Sequence, residues 1–216
     1  MLFSSPPGVY QAESFQQIPW LLHGFGTRQS AGWPGRYASL KQVHSSIVVR
    51  ADRHIDAAVG DAVITQEPGM IVAVRTADCV PILLVDLRRK AVAAVHAGWR
   101  GTAGEIARIA VETMEREFGS LPSELSAAIG PAIGRCCFEV GPEVAQQFRL
   151  LFPESENLRK LDLSEANRRQ LVAAGIPAAR IEAAPLCTKC DPERFESFRR
   201  DREKAGRMIS AIGIMS

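Results

Sequence analysis

The feature that most constrains the fold is a series of four short apolar segments between Asp61 and His96, each rich in Val, Ile, Leu and Ala. These segments cover residues 62–65, 71–75, 80–85 and 91–95, and the residues between them provide turns. The pattern predicts tightly spaced β-strands. Segment 80–85 is apolar throughout, which is typical of a strand covered on both faces. The sequence therefore predicts an α+β fold built in layers.

The region after these strands predicts three helices. A capping box, Thr-Ala-Gly-Glu, predicts a helix over 102–118, and periodic apolar residues predict two more helices over 142–152 and 162–174. A last short strand is predicted over 180–184. Because no repeat or long linker interrupts these elements, we expect residues 1–216 to form a single domain.

Charge and apolar content exclude several classes of partner. The 216 residues include 26 Lys and Arg against 24 Asp and Glu, and a net charge of +2 gives no reason to expect nucleic acid or an anionic membrane as partner. No apolar run approaches the roughly 20 residues that span a bilayer, and the N-terminus lacks a signal-peptide pattern. We therefore expect a cytoplasmic protein of unspecified oligomeric state.

The strongest candidate for chemistry is the set of His44, Cys79 and His96, two of which lie where a predicted strand meets a turn. Two imidazoles and a thiolate suit Zn²⁺, and three protein ligands leave a fourth position for water or substrate. Their spacing does not resemble a compact zinc-finger signature. From residue types alone, three unrelated core or surface residues remain the alternative.

Several other polar residues have two interpretations each. Arg100 follows His96 in a glycine-flanked segment that leads into a predicted helix, which favours an anion site, although a tight turn with a solvated arginine fits equally well. Asp61 and Asp78 either orient a ligand imidazole or cap a turn, and capping is favoured for Asp61. His23 and His54 are interpreted as ordinary, partly exposed histidines.

The other four cysteines are not expected to form a site. An odd total of five cysteines argues against a disulfide framework. Cys187 and Cys190 form a C-x2-C pair, which without a second pair is weak support for zinc. Cys136 and Cys137 are adjacent, so in a strand they would face opposite sides. We interpret this second pair as small buried apolar residues.

The motifs also carry a family resemblance over most of the chain. The blocks, in order, are LKQVHSSIV, GDAVIT, TADCVPILLVD, AVHAGWRGTAGEI, IGPAIGRCCFEVG and FESFRRD. With them the chain is identified as a member of the bacterial YfiH-like family, also called the laccase-domain or peptidoglycan-editing-factor family. The resemblance implies a four-layer α/β/β/α sandwich that holds zinc through His44, Cys79 and His96. It also implies phosphorolysis of purine nucleosides, namely adenosine, inosine and methylthioadenosine, with an accompanying adenosine deaminase activity.

The resemblance extends to three further arginines. Arg28 matches the arginine of an FSTR-like motif, and Arg199 and Arg200 match the family's late FRRD block, so each becomes a candidate for binding phosphate or substrate. A solvated charged surface is the alternative for all three. The chain departs from the family over residues 29–39, where a short segment replaces a longer one with an Asn and a helix. Part of the substrate wall is therefore expected to be missing.

Four functions follow from these observations. The first is a zinc enzyme that holds phosphate against Arg28 and Arg100 while zinc polarises the nucleoside. The second is an amide or muropeptide hydrolase with Cys79 as nucleophile and His96 as base. Polyphenol oxidation with copper is the third, and it is disfavoured because a single set of two histidines and one cysteine cannot build a multi-copper cluster. The fourth is a zinc-stabilised interaction module without turnover.

Overall fold

The computed structural model describes residues 2–4, 8–52, 55, 58–154 and 158–215, with only the backbone over 2–4. Two β-sheets form its centre. The first has five strands in the order β1-β2-β3-β11-β6, and the second has six in the order β10-β9-β7-β8-β5-β4. The α+β architecture with two sheets, predicted above, is therefore confirmed.

The element bounds are as follows. The strands of the first sheet are β1 (Leu2–Ser4), β2 (Val9–Ala12), β3 (Leu21–Gly26), β6 (Ile71–Thr76) and β11 (Met208–Ile214). Those of the second sheet are β4 (Val48–Arg50), β5 (Ala62–Thr65), β7 (Val80–Asp86), β8 (Ala91–Ala97), β9 (Leu125–Ile129) and β10 (Ile181–Ala183). The helices are α1 (Trp99–Ala103), α2 (Ile106–Phe118), α3 (Pro142–Gln147), α4 (Leu163–Ala173) and α5 (Phe198–Asp201). Short 3-10 turns cover Glu13–Phe15, Pro122–Glu124, Ala178–Arg180 and Arg202–Lys204.

Strand β7 lies at the centre of the molecule, and every one of its residues is buried. Side chains alternate across a strand, so Ile82 and Leu84 belong to the core shared with the helices, whereas Leu83 and Val85 belong to the core between the two sheets. The prediction of a strand covered on both faces is therefore confirmed.

The helix predicted over 102–118 is two helices. The capping box does not form, because Glu105 adopts a left-handed conformation (φ 59°) between α1 and α2. The Thr102 hydroxyl instead accepts a 3.0 Å hydrogen bond from the side-chain amide of Asn167 in α4. This interaction ties the short helix α1, which starts inside the HAGWRG segment, to α4.

The two other helix predictions fare differently. Helix α4 begins as predicted, since the side chain of Asp162 accepts a hydrogen bond of 2.9 Å from the Glu165 amide at the helix N-terminus. Helix α3 is shorter than the predicted 142–152 and ends at Gln147. Of the apolar residues after it, Phe148 and Phe152 are still buried in the core against the helices, whereas Leu150 is exposed.

The segment 29–39, which consists largely of turns, packs against the outer face of the five-stranded sheet and along its edge strand β6. Gly24 in β3 pairs with Ala211 in β11, and a Cβ at Gly24 would lie 2.9 Å from the Trp33 ring. Ala38 in the same segment forms backbone hydrogen bonds with Ile71 and Ala73 of β6. The segment 29–39, singled out above as short, therefore packs on this sheet. No helix in the described part of the chain is long and apolar enough to cross a membrane.

Candidate metal centre and basic cleft

Long-range strand pairing brings His44, Cys79 and His96 together. Cys79 directly precedes β7, His96 lies near the end of β8, and the two antiparallel strands pair with Pro81 opposite His96. His44 lies in the turn before β4, with a φ of 61°. One nitrogen or sulfur atom from each side chain lies within 4.8 Å of the others, and Cys79 Sγ is 3.9 Å from His44 Nε2.

Asp61, which is fully buried before β5, holds the imidazole of His96 and the backbone of the turn that carries His44. His96 Nδ1 donates to Asp61 Oδ1 over 2.8 Å, and this hydrogen bond leaves Nε2 of His96 as the free ring nitrogen. The same carboxylate accepts hydrogen bonds from the backbone amides of His44 and Ser45 at 3.0 and 2.6 Å. Asp61 therefore both orients an imidazole and caps a turn, so the preference for capping alone is wrong.

Gly98 allows the three side chains to approach one another. A Cβ at this position would lie 2.9 Å from His44 Cδ2 and 3.0 Å from Cys79 Sγ, closer than ordinary carbon contacts allow. Its backbone, with φ −71° and ψ 172°, is accessible to any residue. The glycine is therefore needed for the space it leaves and not for its conformational freedom.

The electrostatics of the centre favour an ionised thiol. Burial opposes ionisation of Cys79, but hydrogen bonds from His44 and His96 lower the pKa of its thiol to about 7. Burial likewise opposes protonation of His96, yet the hydrogen bond to Asp61 raises its pKa to about 9. Although burial opposes ionisation of Asp61, hydrogen bonds from His96 and Ser45 hold the pKa of this carboxyl well below its usual range. A thiolate beside two imidazoles is a donor set that suits Zn²⁺.

This centre lies in a cleft of about 860 Å³ that is strongly cationic. The basic side chains in its lining are Lys41, Arg75, Arg100, Arg199, Arg202 and Arg207. Among the described lining residues, Asp78 is the only acidic one, and hydrogen bonds from Thr188 and from the Arg199 amide satisfy its carboxylate. Asp78 thus braces the cleft wall and does not contact an imidazole in the described structure. The rings of Trp99, Phe138 and Phe198 add apolar surface.

The four arginines predicted from the sequence divide into two groups. Arg100, stacked on Trp99 at 4.3 Å, and Arg199 line the cleft. Arg28 instead pairs with Glu196 at 3.2 Å and donates to the Pro192 carbonyl. Arg200 pairs with Asp201 and donates to carbonyl oxygens of Thr188, Lys189 and Phe195, so its guanidinium braces the loop beneath the cleft.

Two predictions about histidines have separate outcomes. His23 is buried, at 2% exposure, and its Nε2 lies 3.2 Å from the Ala12 carbonyl oxygen, so the expectation of a partly exposed side chain is wrong. It faces the core because its partner in β11, Ile212, lies on the inner face of the first sheet. His54 falls outside the described residues.

The interpretation of Cys136 and Cys137 as small buried apolar residues is wrong. Cys136 and Cys137 lie in a turn and not a strand, so their side chains do not face opposite sides; Cys136 is exposed and Cys137 half-buried. Both sulfurs lie near Cys190 Sγ, at 3.6 and 3.4 Å. The C-x2-C of Cys187 and Cys190 therefore has a second pair as its neighbour.

Sequence reasoning also missed four basic residues of the cleft. Arg75 is an exposed residue between buried neighbours in β6, so its position in an otherwise apolar strand was the available signal. Arg202 and Arg207 belong to the polar loop before β11, and only their density in that loop pointed to them. Lys41 carries no signal beyond its place in the motif that contains His44.

Comparison with known proteins identifies the family of the chain. The sequence profile of a family described as multi-copper polyphenol oxidoreductase laccase matches residues 27–215. Over 163 residues the chain is 42% identical to a purine nucleoside phosphorylase of Bacteroides thetaiotaomicron, a match that covers 71% of this chain and 60% of that protein. It is also 42% identical over 161 residues to adenosine deaminase RL5 from an unknown prokaryotic organism, covering 70% and 61%. The chain thus spans about three fifths of the length of these relatives.

A solved structure extends the similarity over the whole chain. The crystal structure of the hypothetical protein YfiH from Bacillus licheniformis superposes with a TM-score of 0.87 at 30% identity. The superposition covers 99% of this chain and 98% of that protein. The two-sheet architecture is therefore shared over the full length of both.

Proposed function

This chain belongs to the family described as multi-copper polyphenol oxidoreductase laccase and is similar to a protein named purine nucleoside phosphorylase, and we propose that it is itself a zinc-dependent purine nucleoside phosphorylase. Its substrates are adenosine, inosine and methylthioadenosine, and it deaminates adenosine as a side activity. The observation that carries this proposal is the position of the His44, Cys79 and His96 donors in a cleft with six basic side chains.

The charge of the cleft supports inorganic phosphate as the second substrate. Guanidinium groups bind phosphate oxygens with paired, charge-assisted hydrogen bonds. None of the six basic side chains forms an ion pair with another described residue. The cleft thus offers an anion several donors at once. In phosphorolysis the C1′–N9 bond of the nucleoside breaks, a C1′–O bond to phosphate forms, and the base leaves with a proton.

The apolar side of the cleft supports a purine as the base. Trp99, Phe138 and Phe198 offer ring surfaces to a planar heterocycle, and Arg100 and Arg199 already stack on two of these rings, Trp99 and Phe138. An aromatic wall beside a cationic wall matches a substrate pair made of a nucleobase and a phosphate. It does not match a uniformly charged ligand.

The donor set supports zinc as the metal. Bound by His44, Cys79 and His96, Zn²⁺ would supply Lewis-acid polarisation of a substrate oxygen or of water. The protein's own contribution is to hold the proton of His96 on Nδ1 through Asp61 and to keep Cys79 ionised through the neighbouring imidazoles. The name of the adenosine deaminase relative supports the side activity.

A second candidate function rests on the same residues without metal. Cys79, His96 and Asp61 form an ordered thiol–imidazole–carboxylate series, and the pKa of the thiol, lowered to about 7 against its burial by the hydrogen bonds of His44 and His96, suits a nucleophile. This arrangement favours hydrolysis of an amide, including muropeptide-like substrates. Metal would inhibit such an enzyme, so metal dependence separates the two candidates.

The deciding experiment couples metal analysis with product analysis. The purified protein is assayed for zinc and copper, and adenosine, inosine and methylthioadenosine are each incubated with and without phosphate before chromatography. We expect base release that needs phosphate, inosine formed from adenosine in either condition, and loss of both after chelation and recovery with zinc. Recovery with copper alone, or no base release from any of the three nucleosides at high phosphate, would contradict the proposal. Activity on amides that rises after chelation would favour the hydrolase.

The free thiols and the small substrates also fit a cytoplasmic protein. All five cysteines are unpaired in the structure, and free thiols persist in a reducing compartment. Fractionation of cells that express the full chain tests this location.

A further inference from the structure

The four cysteines outside the cleft form a compact sulfur cluster. Cys136 and Cys137 lie in a turn, and Cys187 and Cys190 lie in the loop that follows β10. One sulfur from each lies within 4.8 Å of the others. We propose that this cluster is a second metal site, a tetrathiolate that binds Zn²⁺ and cross-links the two segments.

Local backbone structure explains how adjacent cysteines can share one ion. The amides of Cys137 and Phe138 both donate to the Gly134 carbonyl, at 2.9 and 3.0 Å, which makes a helical turn over these residues. Neighbouring side chains in such a turn are about 100° apart around its axis, whereas in a strand they point to opposite faces, about 180° apart, so the turn lets both sulfurs approach one point. The turn that contains Cys187 and Cys190 faces this helical turn and supplies the other two sulfurs.

The distances fit a metal tetrahedron better than a disulfide. With Zn–S bonds of about 2.3 Å, the edges of a tetrahedron of four sulfurs are about 3.8 Å long. Cys190 Sγ lies 3.6 Å from Cys136 Sγ and 3.4 Å from Cys137 Sγ. A disulfide would bring one pair to about 2.05 Å and leave two thiols over. The spacing therefore requires little adjustment to accept an ion.

The surroundings of Cys187 favour a thiolate. The Gly134 amide donates to Cys187 Sγ over 3.2 Å, an interaction that stabilises a sulfur ligand carrying negative charge. Four thiolates with one Zn²⁺ carry a net charge of −2, and the ammonium of Lys160 lies 3.4 Å from the Cys136 carbonyl oxygen. On binding, four Zn–S bonds form and the protons of the four thiols pass to the solvent.

The site is closed, which assigns it a structural and not a catalytic role. Four protein ligands leave no open position on zinc, in contrast to the three ligands of the cleft. The two segments that the zinc ion would join both contribute to the wall of the cleft. Phe138, which follows Cys137, lines the cleft, and Thr188, between the two loop cysteines, donates to Asp78 next to Cys79. The ion would thus hold one wall of the cleft in place.

Zinc stoichiometry of the full chain tests the proposal independently of any activity. Protein loaded with Zn²⁺ under reducing conditions and freed of excess ion is expected to hold about two zinc ions per chain. Cys190→Ser and Cys136→Ser should each lower this to about one, and Cys79→Ser should do the same by emptying the cleft instead. A Cys190→Ser protein with as much zinc as the wild type, or a wild-type protein that binds no more than one, would overturn the proposal.

A measurement on Cys79→Ser covers the case in which the cluster variants do not fold. X-ray absorption at the zinc edge of this variant, which retains all four cluster cysteines, is expected to show four sulfur ligands at about 2.3 Å and no imidazole. Nitrogen ligands in that spectrum, or a disulfide among the four cysteines in protein purified without oxygen, would contradict a tetrathiolate. Because neither measurement involves a nucleoside, failure of the phosphorylase proposal leaves this test intact.

Discussion

Asp61 and His96 share a buried hydrogen bond of 2.8 Å between a carboxylate oxygen and Nδ1 of the imidazole. Both residues are almost fully buried. Asp61 directly precedes β5 and His96 lies in β8, and these two strands pair with Ala62 opposite Val95. A carboxylate behind a ligand imidazole fixes the tautomer and increases the basicity of the outer nitrogen. The sheet register therefore determines which nitrogen of His96 faces the cleft.

Replacing the carboxylate tests this relationship. Asp61→Asn keeps the size but places an amide group among hydrogen-bond donors, so we expect a 10- to 100-fold loss of metal affinity at the cleft and a stability loss of about 1–3 kcal/mol. Competition with a chromophoric chelator and urea unfolding measure the two effects. Asp52→Asn, which alters an exposed carboxylate paired with Arg50, is the matched control. Unchanged metal affinity in Asp61→Asn would refute the orienting role.

Adding one methyl group at Gly98 tests the crowding at the centre. In Gly98→Ala the new Cβ would lie within 3.0 Å of Cys79 Sγ and closer still to His44, so at least one of these side chains must move. We expect metal affinity at the cleft to fall about 10-fold or more, as when ligand orientation is lost, with cooperative unfolding retained. Isothermal titration with zinc measures the metal affinity of the cleft.

The control for Gly98 is Gly104→Ala. Gly104 has φ −83°, and a Cβ there would lie 3.3 Å or more from its neighbours, so this substitution should leave metal binding unchanged. Equal affinities in both variants would show that the closeness of Gly98 to the donors has no consequence for the metal.

Cys79→Ser separates a metal ligand from a nucleophile. A serine hydroxyl stays protonated near neutral pH and is a poor zinc ligand, so the variant should lose the cleft metal together with turnover while it still unfolds cooperatively. Metal content and nucleoside chromatography on the same sample measure both. If the variant keeps the cleft metal and loses turnover, Cys79 is a nucleophile and the hydrolase becomes the better account.

Local patterns predicted the central strands well but failed where distant contacts decide. Segments 62–65 and 80–85 match β5 and β7 almost residue for residue, because buried strands have a distinctive composition. Strand β9 was missed, since its sequence LSAAI consists largely of small residues, and alanine is depleted in strands and favours helices. The break at Glu105 was missed because the capping-box pattern places Thr102 at a helix start, whereas Thr102 lies inside α1 and Glu105 adopts a left-handed conformation.

For the candidate site too, residue types were predictable from the sequence and their spatial contacts were not. His44, Cys79 and His96 were found from residue type and family resemblance, yet their proximity depends on β5, β7 and β8 being neighbours. The partner of Cys190 could not be identified, because Cys136 is far away in sequence and its turn conformation depends on Gly134. Long-range pairing is the information that a local sequence pattern does not contain.

A core substitution tests the packing between the sheets. Leu83 is fully buried in β7, in the core shared by the two sheets, so Leu83→Ala removes apolar contacts and leaves a cavity. We expect a stability loss of about 2–5 kcal/mol. Leu150→Ala, at a side chain that is 96% exposed, should change stability by less than about 0.5 kcal/mol. Urea unfolding of both variants measures the difference, and similar losses would contradict the described position of β7.

The basic wall of the cleft provides the last prediction. Arg75 projects from β6 into the cleft and has no ion pair in the described structure, so its guanidinium is available to an anion. Arg75→Gln removes one charge-assisted donor, and such bonds contribute about 1.5–3 kcal/mol, so we expect KM for phosphate to rise about 10-fold or more. KM for the nucleoside should change much less, because the purine is assigned to the aromatic rings.

Arg88→Gln is the control, since Arg88 is exposed, pairs with Glu124 and lies outside the cleft lining. Steady-state kinetics with each substrate varied in turn measure both constants, and an Arg75→Gln enzyme whose phosphate KM equals that of Arg88→Gln would remove Arg75 from the phosphate site.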